Sequence, residues 1–264
     1  VVHHFDVPAR HRELMVVAES VVEFVSAIDI PESCDPSTWE VLDEPITRER
    51  FIEYLEPSHF ARPTEALQAF GREIGLSRDD DPLTVLRRLK KQIYDAFEYA
   101  QGSTRVDSHI DEALAARRGV CQDFAHVMIA LVRGLGIPCR YVSGYLFHNH
   151  KGDERSVDGA SHAWVEAWLP SLGWFGIDPT NRTLAMDRHI RVAIGRDYHD
   201  VPPTRGAFKG SARSELGVNV RVQTTDTPIA PSDVMPALYW SAPEPEAGNS
   251  LLDDEQEQQQ QQQQ

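Results

Sequence analysis

The chain has 264 residues, 41% hydrophobic and 25% charged, with a formal net charge of −15, enough for one large soluble domain or two small ones. That acidic balance, with no basic stripe, argues against a nucleic-acid partner. No run approaches the ~18–20 apolar residues of a membrane span, three dispersed cysteines exclude a disulfide framework, and the absence of a leader pattern sets a cytoplasmic location as the expectation.

Residues 1–25 predict two strands around a turn at Pro8–Arg12. The stretch "ELMVVAESVVEF" is β-branched and partly alternating, and two strands alone are marginal in water, so pairing partners are expected to be missing from this stretch. Residues 26–62 are punctuated by proline and read as an irregular linker. Helices are predicted over 63–75 and 82–97. In the second, Asp81 can cap, Pro82 suits the first turn, and Leu83, Leu86, Leu89, Ile93 and Phe97 share a face. Ser108 with Asp111 resembles a capping box leading into "EALAARRG".

A helix over 121–135 places Phe124, Val127, Met128, Leu131 and Leu135 on one stripe, and Gly134, Gly136 and Pro138 stop it. "CRYVSGYLF" (139–147) then reads as a strand. A polar loop containing Gly152 and Gly159 leads to "HAWVEAWL", the turn "PSLG" and "WFGID", a hairpin ending at Asp178. Later strands are expected at 189–194 and 215–223. Residues 226–264 hold eight acidic side chains, no Lys or Arg and a glutamine run, a composition that predicts disorder.

Cys121 stands at the first turn of the 121–135 helix, after Gly119. Packing is one reading, since free cysteine behaves as a small hydrophobe. Reactivity is the other, since a helix N-terminus favours a thiolate and offers unpaired N–H groups to an oxyanion. A nucleophilic cysteine needs a base within reach and a group to orient that base. With eleven histidines in the chain, any one proves nothing. His162 is set apart because it opens a strand after a loop, though alone it reads equally as a solvent-facing strand-end residue. Asp178 closes the partner strand before Pro179, where an Asx-type turn residue is the plainer reading. A four-residue turn would pair Leu169 with Trp174 and set Asp178 opposite Val165, roughly 10 Å from His162 at ~3.3 Å per residue. Contact then requires a bulge, another register or strong twist.

"RRGVCQDFAHVMIALVRGLGIPCRYVSGYL" followed by "SHAWVEAWLPSLGWFGIDPTN" resembles the bacterial transglutaminase-like (papain-like) superfamily. The resemblance runs over roughly residues 82–225 and is strongest at 117–182. It implies an α+β fold: a papain-like/transglutaminase core with a helix-borne cysteine packed on an antiparallel sheet, plus the remnant of an N-terminal β-domain. The layout expected is a partial β-domain at 1–25, a linker at 26–62, the core at 63–225 and a tail at 226–264. The resemblance also implies a triad of Cys121, His162 and Asp178 acting on the amide carbonyl of a protein or peptide. Hydrolysis is the expected outcome, with protein-glutamine transamidation or a non-catalytic binding module as alternatives. No cofactor and no metal are implied; a zinc site on the same three residues lacks a fourth ligand at a usual spacing.

Other residues carry two readings each. Gln122 and Tyr99 are candidates for a second oxyanion donor, and Tyr99 reads equally as core. Trp164 and Trp168 share the face of His162 and either wall a cleft or pack the strand. Asp123 suits the helix N-terminal amides, His126 a half-buried position, and Cys139 the core. Residues 152–159 read as a loop beside the cleft without the ligand spacing of a calcium loop.

Overall fold

The structure, a computed structural model, describes residues 7, 13–24, 29–148, 155–156, 159–203 and 217–226. The chain divides into two units, residues 22–225 and residues 1–21 with 226–264. The tail expected beyond 226 and most of the loop expected at 152–159 lie outside the described residues. Among the described residues, the helices and strands all belong to the unit spanning 22–225.

Helix α6 (Cys121–Gly134) is apolar almost all round, a pattern that demands burial. Phe124, Val127, Met128, Ile129 and Val132 are all fully buried. Around it pack α3 (Glu65–Glu73), α4 (Pro82–Ala96) and α5 (Ile110–Ala116). The start of α4 follows its sequence: the Asp81 carboxylate accepts from the Leu83 and Thr84 amides and Pro82 fills the first turn. Leu83, Leu86, Leu89 and Ile93 then form its buried stripe, each side chain worth roughly 1.5–3 kcal/mol of burial.

Five antiparallel strands cover the other side of α6: β3 (Cys139–Leu146), β4 (His162–Leu169), β5 (Gly173–Asp178), β6 (Thr183–Ala185) and β7 (His189–Gly195), in the spatial order β6-β5-β4-β3-β7. Period-two alternation splits β4 between two environments. Ala163, Val165, Ala167 and Leu169 join the core with α6, which turns His162, Trp164 and Glu166 to the opposite face. A two-residue parallel pair, β1 (Glu98–Tyr99) with β2 (Arg118–Gly119), sets Tyr99 beside Gly119, just before α6.

Several expectations are corrected. The described residues, 29–62, of the stretch expected to be an irregular linker instead hold α1 (Thr38–Asp43), α2 (Pro45–Arg50) and a 3-10 turn at Ile52–Tyr54, with Leu42, Phe51, Phe60 and Ala61 buried. Pro45 begins a helix at N1 rather than breaking one. The first turn of α5 is capped by His109 with Glu112, while Ser108 donates to Glu112 Oε2 at 2.8 Å. Neither 13–24 nor the described residues of 215–223 form a strand. Alternation supplies a face, but a strand also needs a bonded neighbour, and residues 13–24 have none among the described residues.

The hairpin register also differs. The turn holds three residues, 170–172, with Gly173 at a φ of 69° pairing with Leu169, a geometry open to glycine at little cost. Val165 therefore faces Ile177 rather than Asp178. A one-residue slip exchanges the two faces of a strand, so the observed register places Asp178 on the face of His162 and Trp164.

Two features tie the strands to the helices. The Arg133 guanidinium, at the last turn of α6, donates to the carbonyls of Glu56, Cys139 and Arg196 at 3.1, 2.9 and 2.7 Å. One turn after Gln122, His126 is buried between the rings of Phe60 and Tyr141, and its Nε2 accepts from the Tyr198 amide at 3.2 Å. Burial pushes its pKa down to about 3, although Asp197 nearby acts in the other direction.

An imidazole kept neutral in the fold but free to protonate when unfolded contributes no penalty above pH 6.5. It destabilises the fold increasingly as pH falls toward 3. Between pH 7 and pH 4, His126→Gln, which keeps an acceptor, is expected to lose less thermal stability than wild type by on the order of 2–3 kcal/mol. Parallel melting curves for the two proteins across that range would refute it. Gly144 permits a close approach of β7: a Cβ there would lie 2.1 Å from the Ile190 carbonyl oxygen and 2.7 Å from the Trp164 ring. Gly144→Ala is expected to cost about 1–3 kcal/mol, read as a lower urea midpoint; an unchanged midpoint would show that β7 yields freely.

Candidate active site

Cys121 is the first residue of α6 and is partly exposed. Its backbone N–H has no acceptor within the helix. The side chains after it fasten the helix start to the preceding loop. The Asp123 carboxylate accepts from the Val120 amide at 2.8 Å and the Thr104 hydroxyl at 2.6 Å, and Gln122 Nε2 donates to the Val106 carbonyl at 2.9 Å. Asp123 is thus an N-terminal cap, as its type predicts. One donor of Gln122 is already engaged away from the sulfur.

His162 is the first residue of β4 and 3% exposed. Its Nε2 lies 2.7 Å from Asp178 Oδ2. The carboxylate accepts only, so the proton sits on Nε2. Nδ1 is buried and has no hydrogen-bond partner. Burial alone would push the His162 pKa down. The charge and hydrogen bond of Asp178, with a smaller contribution from the Cys121 sulfur, outweigh burial and raise it.

Asp178 is 0% exposed and does two jobs, one per oxygen. Oδ1 accepts from the Thr180 and Asn181 amides at 2.9 and 3.1 Å, the Asx-type turn that its position before Pro179 suggests. Oδ2 accepts from His162, from Asn181 Nδ2 at 2.8 Å and from His189 Nε2 at 3.1 Å. Burial opposes its ionised form, yet His162 and His189 hold its carboxyl far below the usual range. Asn181 extends the network: its Oδ1 accepts from the Arg155 and Ser156 amides at 2.8 and 3.1 Å.

The structure thus joins His162 to Asp178 by a direct bond and sets Cys121 near enough to the imidazole to influence its charge. Tyr99 lies near enough to interact electrostatically with Cys121 and Asp178, and burial is the main cause that raises its pKa to about 12, so it stays a hydroxyl donor. Trp164 is buried and stacked on His162 with ring centroids 6.0 Å apart, which makes it a cover over the imidazole rather than an open cleft wall. Cys139 is core, and burial pushes its thiol up to about 12. Sequence reasoning misses His189 and Asn181. His189 opens a strand just as His162 does, and that is the signal by which it could be found.

Among the described residues, one group has the spacing to hold a metal ion: His162, Asp178 and His189, with ligand atoms within 4.8 Å of one another. It excludes Cys121, and two nitrogen–carboxylate hydrogen bonds account for it. No described helix is long and apolar enough to cross a membrane.

Residues 68–179 match the transglutaminase-like superfamily. The chain is 38% identical over 229 residues to an uncharacterised protein of Mycobacterium leprae, covering 84% of this chain and 77% of that one. It is 33% identical over 104 residues to the protein-glutamine gamma-glutamyltransferase of Pseudomonas aeruginosa, covering 36% of this chain and 15% of that one. Among solved structures it resembles a candidate cysteine protease from Cytophaga hutchinsonii, at 30% identity and a TM-score of 0.49, covering 61% of this chain and 51% of that one. With a cysteine-headed helix set against an antiparallel sheet and a family match that spans Cys121, His162 and Asp178, this chain belongs to the transglutaminase-like superfamily.

Proposed function

We propose that this protein carries out thiol-dependent acyl transfer at amide or peptide bonds of a protein or peptide, with water as the acceptor. The observation that carries the reading is the 2.7 Å bond between His162 Nε2 and Asp178 Oδ2, which leaves Nδ1 of the same ring free for the Cys121 thiol. His162 takes the thiol proton on Nδ1 and Asp178 stabilises the resulting imidazolium. The sulfur adds to the carbonyl carbon, and the oxyanion is met by the Cys121 N–H at the helix start. The Tyr99 hydroxyl suits a second donor better than Gln122, which is tied to Val106. The C–N bond then breaks, the imidazolium gives its proton to the departing amine, and a thioester remains. Water attacks the thioester carbonyl as His162 takes its proton, the C–S bond breaks to release a carboxylic acid, and the imidazolium returns the proton to the sulfur.

Transamidation differs only in the acceptor, a primary amine in place of water. The identity to a protein-glutamine gamma-glutamyltransferase supports this second reading.

Alkylation by a thiol reagent at about pH 5.5, where an ordinary thiol is protonated, is expected to be fast in wild type and lost in Cys121→Ser. Equal labelling of both proteins would remove the nucleophile. Asp178→Asn is expected to reduce turnover of a responsive glutaminyl peptide at least ~100-fold. Ammonia release without incorporation of an added primary amine would mark a hydrolase, and incorporation a transferase.

A further inference from the structure

We infer that His189 is a positioning residue that acts on the Cys121–His162 pair through Asp178 and sets how tightly His162 holds its proton. The inference rests on the function proposed above. His189 Nε2 lies 3.1 Å from Asp178 Oδ2, the same oxygen that binds His162. The two imidazoles therefore share one acceptor atom, with ring centroids 5.9 Å apart, and Trp164 packs edge-on against His189 at 5.1 Å. His189 is 7% exposed, and its Nδ1 is buried and unpartnered.

Those facts fix its state. A carboxylate cannot donate, so Nε2 carries the proton that makes the bond. A second proton on Nδ1 would be buried with nothing to accept it. His189 is thus an Nε2–H donor to Asp178, with Nδ1 making no bond. The groups around it are His162 and Trp164 from β4 and Asp178 from β5, with Asn181 on the same oxygen. Cys121 and Tyr99 lie beyond His162, and Lys90 of α4 acts electrostatically on Asp178.

Each donor on Oδ2 stabilises the carboxylate and weakens its pull on the His162 proton. Without His189, three other donors still hold Asp178: the Thr180 and Asn181 amides and Asn181 Nδ2. The carboxylate stays in place but holds the His162 proton more tightly. His162 becomes a poorer acid toward the departing amine.

The test is the rate of Cys121 alkylation by iodoacetate against pH, corrected by Cys121→Ser, which requires no knowledge of the substrate. The wild-type rate is expected to rise as the thiolate forms. It then falls as His162 loses the charge that attracts the reagent. In His189→Phe, which keeps a ring without a donor, the alkaline fall should move up by roughly one pH unit. In His189→Gln, which keeps an N–H donor, it should stay within about 0.3 unit. Nitrogen NMR of the wild-type imidazoles should show His189 protonated on Nε2 alone, which tests the inference even if His189→Phe does not fold. A His189→Phe profile superimposable on wild type or shifted downward, or an Nδ1–H tautomer at His189, would overturn the inference. A wild-type profile with no alkaline fall would overturn the proposed role of the Cys121–His162 pair instead.

Discussion

The candidate site depends on a carboxylate with no access to water. Removing a charge of that size from water costs several kcal/mol even after relaxation, so Asp178 persists as an anion only because it is surrounded by donors. Five N–H groups reach it: two backbone amides on Oδ1 and three side chains on Oδ2. At about 1.5–3 kcal/mol for each hydrogen bond to a charged group, their sum exceeds the desolvation cost, in agreement with a carboxyl held well below its ordinary range. The donors come from β4, from β7 and from the turn after β5. The strand order and the one-residue detail of the hairpin register therefore set which donors reach that charge, and the glycine that lets β7 approach β3 admits one more, from His189.

Burial also grades the site. Asp178 is sealed, His162 nearly so, and Cys121 partly exposed. Two unit charges 4 Å apart attract by about 1 kcal/mol in water and about 4 kcal/mol at an effective dielectric near 20. Trp164, stacked on His162, keeps water from the imidazole–carboxylate pair and holds it toward the stronger limit. The partly exposed sulfur can be reached without disturbing that pair. The helix start is fixed by different means: Asp123 and Gln122 bind residues 104–106 on one side, and the Tyr99 strand lies along Gly119 on the other.

Much of this is legible in the sequence, and the failures have physical causes. α4 and α6 can be read because their caps and apolar stripes are local properties. Cys121, His162 and Asp178 stand out by position: the first residue of a helix, the first of a strand, the last of the next. Their mutual contact is not derivable, because a three-residue turn closed by Gly173 and a four-residue turn look alike in "PSLG" yet place Asp178 on opposite faces. α1 and α2 escape because six residues are too few for a 3.6-residue period to show. The alternating stretch at 13–24 misleads in the other direction, since alternation describes a face and says nothing of a neighbour to bond.

His189 is the hardest member of the site to read. Its strand is predicted, but its partner, Asp178, belongs to β5, and two strands separate them in the sheet order β5-β4-β3-β7. A contact across that span requires the sheet to curve until its non-neighbouring strands approach on one face. The bulge at Ser143/Gly144, where the β3–β7 register shifts, is the kind of irregularity that bends a strand and increases its twist. Without it, the pairing beyond Ser143 would continue in phase and carry His189 to a different position along β3. The path from sequence to chemistry thus runs through one extra residue in β7 and one missing side chain in β3, neither of which is itself reactive.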